Sequence, residues 1–233
     1  MRQVVLDTET TGIGHELGHR IIEIGCIELV DRKLTNNLFH VYLNPQRSVD
    51  EGAFRVHGIS TEFLQDKPLF QDIANNLIEF IDGAELIIHN APFDIGFLDA
   101  ELKRINSSFQ IKTRCSVCDT LVLAKEKHPG QRNNLDALCK RYEIDNSNRT
   151  LHGALLDSEI LASVYLAMTG GQTNLFEDAA ELIANSEIVV NQQTEQLVSG
   201  SPVLTANPEE LQRHEEFIKF LIKKSGSNLW DTE

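Results

Sequence analysis

The order of strands and helices along the chain limits it to an α/β fold with a mixed sheet. Alternating and β-branched apolar residues predict strands over 3–9, 20–30 and 37–43, and the short connections between them, with Asp31-Arg32-Lys33 as a turn, favour an antiparallel meander. Helical periodicity then predicts helices over 69–81, 93–105, 120–127, 135–142 and 153–168, with a strand over 85–89 and a weaker one near 109–115. A meander followed by alternating elements predicts one mixed sheet flanked by helices.

The chain divides into a folded domain and a tail. With 233 residues it is long enough for one buried core plus an appendage. We therefore assign 1–170 to the domain and 171–207, which is rich in polar residues, to a flexible linker, although 176–188 could form a weak helix. Asn207 as N-cap and Pro208 at the first helical position predict a helix at the start of the segment 208–233.

The net charge bears on which partners the chain can hold. A formal charge of −14 opposes nucleic-acid binding through the overall field, because such binders neutralise phosphates with Lys and Arg. This objection is weaker if metal ions bind the scissile phosphate and if a partner protein supplies most of the affinity for the nucleic acid.

The sequence predicts a cytoplasmic protein without a membrane span. No apolar run approaches the ~20 residues that cross a bilayer, and the first strand begins too early to leave room for an export signal. Cys115 and Cys118 form a C-x-x-C without a second ligand pair at zinc-site spacing, so we expect reduced thiols.

Two acids close the first predicted strand. Asp7 and Glu9 are two residues apart, so both carboxylates point to the same face of the strand and can converge on one hard cation. Random placement of 35 acids in this chain would give about five such triplets. The turn Thr10-Thr11-Gly12 strengthens the case for a functional site, because it ends the strand and α/β sheets usually have their binding sites at strand ends.

Two further segments carry chemistry of the same kind. Asn90-Ala-Pro-Phe-Asp94 follows the strand over 85–89 and places Asp94 near the start of a helix, where an acid that only complements the helix dipole is the alternative. His152 and Asp157 are five residues apart at the start of the last helix of the domain. They can face one site only if His152 lies on the loop before that helix.

Together, Asp7-x-Glu9, Asn90-x-x-Phe93-Asp94 and His152-x-x-x-x-Asp157 resemble, in order, the three motifs of the DEDD-type 3′–5′ exonucleases with a catalytic histidine. The resemblance continues through 56–59, 134–138 and 145–153 and covers nearly the whole chain. It implies a ribonuclease H-like fold and a metal-dependent DNA exonuclease that releases nucleoside 5′-monophosphates from a 3′ end.

The resemblance also implies roles for the site residues. Two divalent ions, Mg²⁺ or Mn²⁺, would be held by Asp7, Glu9, Asp94 and Asp157, and His152 would take the proton from the attacking water. Besides Asp7, Glu9 and Asp157, the residues expected to contact the substrate are Glu51, His57, Asn90 and Phe93. The position of the family's glutamate is occupied by Gly52 here, and the acid lies one residue earlier, at Glu51.

The tail contains two segments suited to partner proteins. Gln172-Thr-Asn-Leu175-Phe176 resembles the short peptide by which bacterial proteins dock on the sliding clamp. The helix in 208–233 carries more apolar residues than a free helix should, which predicts docking on a polymerase subunit, the alternative being that it folds back on the domain. A small accessory subunit on the exonuclease domain is left open.

Two other functions fit part of the pattern. A related nuclease that trims RNA ends would lack the clamp peptide and the polymerase-binding tail. A catalytically dead adaptor between clamp and polymerase would need none of the five residues of the predicted site.

Overall fold

A computed structural model describes residues 1–149, 151–170 and 208–225 of the chain, which separates into two units, Met1–Ala179 and Ala180–Glu233. The first unit contains a five-stranded sheet with the order β3-β2-β1-β4-β5. Its strands are β1 (Arg2–Thr10), β2 (Ile21–Val30), β3 (Lys33–Tyr42), β4 (Glu85–Ile88) and β5 (Ser116–Asp119). Pairing is antiparallel from β1 to β3 and parallel from β1 through β4 to β5, so the predicted mixed sheet is confirmed.

Helices surround this sheet, and one further helix belongs to the second unit. In the first unit a 3-10 turn (His15–Leu17) is followed by α1 (Glu51–His57), α2 (Thr61–Leu64), α3 (Phe70–Ile81), α4 (Ala91–Arg104), α5 (Ile111–Arg114), α6 (Thr120–Lys127), α7 (Leu135–Arg141) and α8 (Ala154–Thr169). The second unit contains α9 (Pro208–Ser225). Within the described ranges, no helix is both long and apolar enough to cross a bilayer.

Strand β1 lies at the centre of the core because both of its faces are buried. Val4 and Leu6 pack with residues of α3 and α4 on one side of the sheet. Val5 packs with residues of α7 and α8 on the other side. Since side chains alternate along a strand, the residues that follow Leu6 continue this division between the two faces.

The structure differs from the sequence-based prediction around the second hairpin and after Leu43. Asp31 and Arg32 both have positive φ, which makes a two-residue turn of the kind that joins tight hairpins, so β3 begins at Lys33. The short helices α1 and α2 were not predicted. Of their two N-cap residues, Asp50 and Ser60, only Ser60 accepts a hydrogen bond from its helix through its side chain. Helix α1 is also too short to show a clear periodicity.

The prediction of a strand near 109–115 was wrong. This segment contains the one-turn helix α5, and the edge strand β5 follows it at Ser116–Asp119. Apolar residues at 109, 111 and 115 mimic strand alternation, but Ile111 and Cys115 are buried in the core as anchors of the turn. Parallel pairing with β4 starts only at Ser116.

Gly25 on β2 allows α8 to pack directly on the sheet. A Cβ atom at this position would lie 2.3 Å from the backbone carbon of Ala154 and from the backbone nitrogen of Leu155. The Ser158 hydroxyl donates a 2.9 Å hydrogen bond to the Gly25 carbonyl and holds the helix in this close approach. The first turns of α8 therefore have one allowed depth above the sheet.

We expect Gly25→Ala to lower the free energy of unfolding by about 1–3 kcal/mol, because the added methyl group must push α8 away from β2. Denaturant unfolding measures this change. Gly52→Ala is the matched control, since a Cβ at Gly52 on α1 meets nothing within 4 Å and should not destabilise. Equal stability of the two variants would contradict the close packing at Gly25.

Candidate active site

The end of β1 presents two carboxylates and a hydroxyl to opposite faces of the sheet. Asp7 and Glu9 lie on the same face as Val5, toward α8. Thr8 lies on the face of α4, where its hydroxyl donates a 2.7 Å hydrogen bond to Oδ1 of Asp94. The strand thereby gathers acids from both sides at its carboxyl end.

Helix α4 starts in a geometry that aims Asp94 at β1. Asn90 adopts a left-handed backbone conformation with φ of 68°, and its N–H donates a 3.2 Å hydrogen bond to Asp119 at the end of β5. Pro92 occupies the first turn as predicted. Asp94 is only 3% exposed, because its carboxylate lies between α4 and β1.

His152 and Asp157 reach the site from the loop and the first turn of α8. His152 precedes the helix, and its backbone N–H donates a 3.1 Å hydrogen bond to the Val56 carbonyl in α1. The backbone N–H of Ala154 donates to Oε2 of Glu23 at 3.1 Å. This arrangement satisfies the geometric condition derived from the spacing of His152 and Asp157.

The predicted acids and the histidine line one cavity of about 280 Å³. Its lining residues are Asp7, Thr8, Glu9, His89, Asn90, Phe93, Asp94, Asn134, Leu135, Asp136, Arg149, His152 and Asp157. Ligand atoms of Glu9, His152 and Asp157 lie within 4.8 Å of one another, which is a possible acidic metal site. The structure thus brings together side chains from β1, α4 and α8 that the sequence separates by up to 150 residues.

Burial and mutual repulsion disfavour full ionisation of these carboxylates. Burial raises the pKa of Glu9 to about 8, and the charges of Asp157, Glu23 and Asp94 add to this rise. Burial raises the pKa of Asp94 to about 7, although the Thr8 hydrogen bond opposes it. The pKa of Asp7 is raised well above its ordinary value by burial and by Asp94. The cavity holds more negative charge than Arg149, the one arginine among its described lining residues, can offset, and bound divalent cations would supply the remaining positive charge.

Hard cations fit the donors that are present. Carboxylate oxygens are the ligands that Mg²⁺ and Mn²⁺ prefer, and the cavity offers several from three elements of the fold. His152 differs from the acids because its side chain is 46% exposed, and burial together with Arg149 lowers its pKa. Its imidazole is therefore neutral near pH 7 and able to accept a proton.

Polar side chains without a predicted role also hold the site together. Thr8 orients Asp94, Glu23 binds the start of α8, and Arg149 pairs with Asp157. Glu23 gave a usable signal, because a single acid within the apolar run from Ile21 to Ile27 must find a buried partner. The roles of Thr8 and Arg149 depend on contacts between distant elements, which spacing does not reveal.

A second cavity of about 520 Å³ adjoins the first and shares Glu9 and Phe93 with it. His57 also lines it, is 5% exposed, and has an Nε2 atom without a hydrogen-bond partner among the described residues. Glu51 lines neither cavity and instead lies 3.7 Å from Arg55 on the exposed side of α1. A substrate contact from Glu51 stays a prediction without geometric support.

Comparison with known proteins gives one consistent family. The model of the Exonuclease family matches residues 4–165. DNA polymerase III subunit epsilon of Pasteurella multocida is 52% identical over 99% of this chain and 93% of its own length. The subunit of the same name from Escherichia coli K12 is also 52% identical, over 98% of this chain and 97% of its own length.

Solved structures agree on the fold. Exonuclease X in complex with 5′ overhanging duplex DNA is 26% identical and superposes with a TM-score of 0.56 over 73% of this chain and 94% of its own. Escherichia coli Exonuclease I in complex with a dA16 oligonucleotide is 18% identical, with a TM-score of 0.64 over 78% of this chain and 45% of its own. The second likeness concerns the fold alone.

These findings confirm the predicted ribonuclease H-like fold and the predicted metal-dependent 3′–5′ exonuclease. Because the family model covers most of the chain and the relatives match nearly all of it, the chain belongs to the DNA polymerase III epsilon-subunit family of exonucleases.

Proposed function

We propose that the chain is the proofreading subunit of a replicative DNA polymerase and removes mismatched 3′-terminal nucleotides as nucleoside 5′-monophosphates. The observation that carries this proposal is the convergence of the four predicted carboxylates and one neutral histidine on a single cavity at the end of β1. The names of the relatives support the choice of DNA as substrate and of a polymerase as partner.

The proposed reaction divides its work between the acids and the histidine. Asp7, Glu9, Asp94 and Asp157 would hold two divalent ions, Mg²⁺ or Mn²⁺. Bound ions of this kind stabilise the attacking and leaving oxygens of an in-line displacement at phosphorus. The exposed ring of His152 accepts the proton of the attacking water, and its lowered pKa supports this role.

The second cavity is the proposed seat of the terminal nucleotide. Phe93 lies between the two cavities and can contact a base, and Asn90 lines the first cavity beside it. The buried Nε2 of His57 lacks a partner within the described residues, and a nucleotide atom would satisfy it. Burial lowers the pKa of His57, so this ring is neutral near pH 7.

The proposed tail division is domain 1–170, linker 171–207 and polymerase-binding segment 208–233. Helix α9 supports the last part, because Leu211 and Phe217 are more than half exposed on it. The clamp-binding peptide Gln172, Leu175 and Phe176 lies outside the described residues, as does the weak helix at 176–188. Tethering would raise the local concentration of the exonuclease at the primer end, which offsets a net charge of −14.

A cytoplasmic location is part of the same proposal. All four cysteines are free thiols, and three of them are buried. Reduced thiols are typical of that compartment. A small accessory subunit on the exonuclease domain stays an open prediction.

We expect Asp7→Ala and His152→Ala each to lower turnover by about 10²-fold or more, because one removes a metal ligand and the other the proton acceptor. The measurement is a time course of mononucleotide release by the full-length protein on 3′-mismatched DNA with Mg²⁺. RNA of the same sequence, run in parallel, should be cleaved more slowly.

The control for these variants is Glu159→Ala, which removes an exposed acid of α8 outside the cavity and should leave turnover unchanged. Release of mononucleotides that survives EDTA would contradict the metal-dependent mechanism. Faster cleavage of RNA than of DNA would favour an RNA-trimming nuclease, and inactivity of the wild-type protein on both would favour an adaptor.

Two variants should separate the partners of the tail. Deletion of 208–233 is expected to abolish co-purification with the polymerase subunit and to leave clamp binding intact. Alanine at Gln172, Leu175 and Phe176 should do the reverse, since these residues carry the peptide that resembles clamp ligands. Both variants should hydrolyse free oligonucleotides at the wild-type rate. Loss of both partners from either variant would refute the assignment of separate segments.

A further inference from the structure

Arg149 closes one side of the acidic cavity with a buried guanidinium group. Its Nε and Nη2 atoms donate hydrogen bonds of 2.5 Å and 2.7 Å to the two carboxylate oxygens of Asp157. Its Nη1 atom donates a 2.7 Å hydrogen bond to Oδ1 of Asp136 at the mouth of the cavity. The Arg149 side chain is 7% exposed and that of Asp157 is 5% exposed, so this fork is shielded from water.

The charge balance of the cavity depends on this one side chain. Among the described residues that line the cavity, Arg149 is the sole Arg or Lys, facing the carboxylates of Asp7, Glu9, Asp94, Asp136 and Asp157. Its charge lowers the pKa of Glu9, against the larger effects of burial and neighbouring acids. A fixed guanidinium therefore supplies part of the positive charge that the cluster needs.

The fork also occupies the oxygens that a cation would use. Arg149 bonds to both oxygens of Asp157 at once, in the planar bidentate geometry that arginine favours with carboxylates. The same carboxylate lies within 4.8 Å of the ligand atoms of Glu9 and His152. A cation that binds Asp157 must therefore either share a carboxylate oxygen with Arg149 or displace one of the two Arg149 hydrogen bonds.

We propose that Arg149 is a positioning residue that stands in for the divalent cation at Asp157 in the metal-free protein and gives up that contact when the cation binds. Asp136 retains Nη1 during the exchange and keeps the guanidinium at the mouth of the cavity. The inference rests on the proposed function, because it takes Asp157 as a metal ligand.

Loss of the contact between Arg149 and Asp157 would also change the hydrogen bonding of the His152 ring. The Nη2 atom lies 3.3 Å from Nδ1 of His152, and because arginine only donates, Nδ1 must act as the acceptor there. The neutral ring then carries its proton on Nε2. A shift of Nη2 away from the ring frees Nδ1, so binding of the cation also makes this nitrogen available to accept a proton.

The alternative role for Arg149 is a permanent clamp that holds Asp157 in place with or without metal. The two roles differ in sign. A clamp raises metal affinity by fixing a ligand, whereas a stand-in competes with the cation and lowers its affinity. By reciprocity, the bound cation weakens the contact between Arg149 and Asp157 by the same factor.

The test compares full-length Arg149→Gln, Arg149→Lys and Arg141→Gln with the wild-type protein. Mn²⁺ affinity is measured by electron paramagnetic resonance, and melting temperature is measured with EDTA and with saturating Mn²⁺. Arg141→Gln removes the same charge from α7, where Arg141 bonds to the side chain of Asn133 and the carbonyl of Arg132 rather than to a carboxylate.

We expect Arg149→Gln to bind Mn²⁺ more tightly by on the order of tenfold. Its metal-free form should melt below the wild-type protein, and saturating Mn²⁺ should remove most of that difference. Arg149→Lys keeps a charge without the fork and should lie between the two, which preserves the test if the glutamine variant does not fold. Arg141→Gln should bind Mn²⁺ as the wild-type protein does.

Unchanged or weaker Mn²⁺ binding by Arg149→Gln, or an equal loss of melting temperature with and without Mn²⁺, would overturn the stand-in role. Absence of Mn²⁺ binding by the wild-type protein would instead refute the metal site of the proposed function. A tenfold gain for Arg141→Gln as well would attribute the effect to net charge and overturn the inference.

Discussion

Repulsion among the carboxylates at the end of β1 is the interaction that the rest of the site must balance. Burial and the neighbouring acids raise the pKa values of Asp7, Glu9 and Asp94, which means that the fold holds them in a place where full ionisation is unfavourable. A divalent cation would relieve this repulsion, and the relief would contribute to the free energy of cation binding. This unfavourable charge distribution is the property by which the cavity could bind a divalent cation.

The scaffold keeps these groups in place through contacts away from the reacting atoms. Thr8 fixes Asp94 from the opposite face of β1. Glu23, paired with His40 at 2.8 Å, binds the first N–H of α8, and Gly25 sets the depth at which that helix packs. The proposed histidine is positioned by a backbone hydrogen bond to α1. Apart from the pair of Glu23 and His40, each contact joins elements that lie far apart in sequence, so the cavity exists only when the whole domain is folded.

Sequence reasoning was most successful where chemistry is carried by residue type at short spacing. The Asp7 and Glu9 pair and the position of His152 before α8 followed from strand and helix geometry, and the mixed sheet followed from element order. It failed for the segment 109–115, where buried anchors of a turn mimic a strand, and for the start of β3, which lies at Lys33 and not at residue 37. The pairing of Arg149 with Asp157 was inaccessible, because local spacing does not show which of several acids a cation contacts.

The number of protons released when Mn²⁺ binds shows whether the carboxylates at the end of β1 hold protons that a cation must displace. Calorimetric titration at pH 6.5 and pH 8.5, each in two buffers of different ionisation enthalpy, gives this number. Raised pKa values of about 8 for Glu9 and about 7 for Asp94 mean that the metal-free cluster holds extra protons at the lower pH, which the cation must displace. We expect clear proton release at pH 6.5 and less release at pH 8.5. Binding without proton release at pH 6.5 would contradict this expectation.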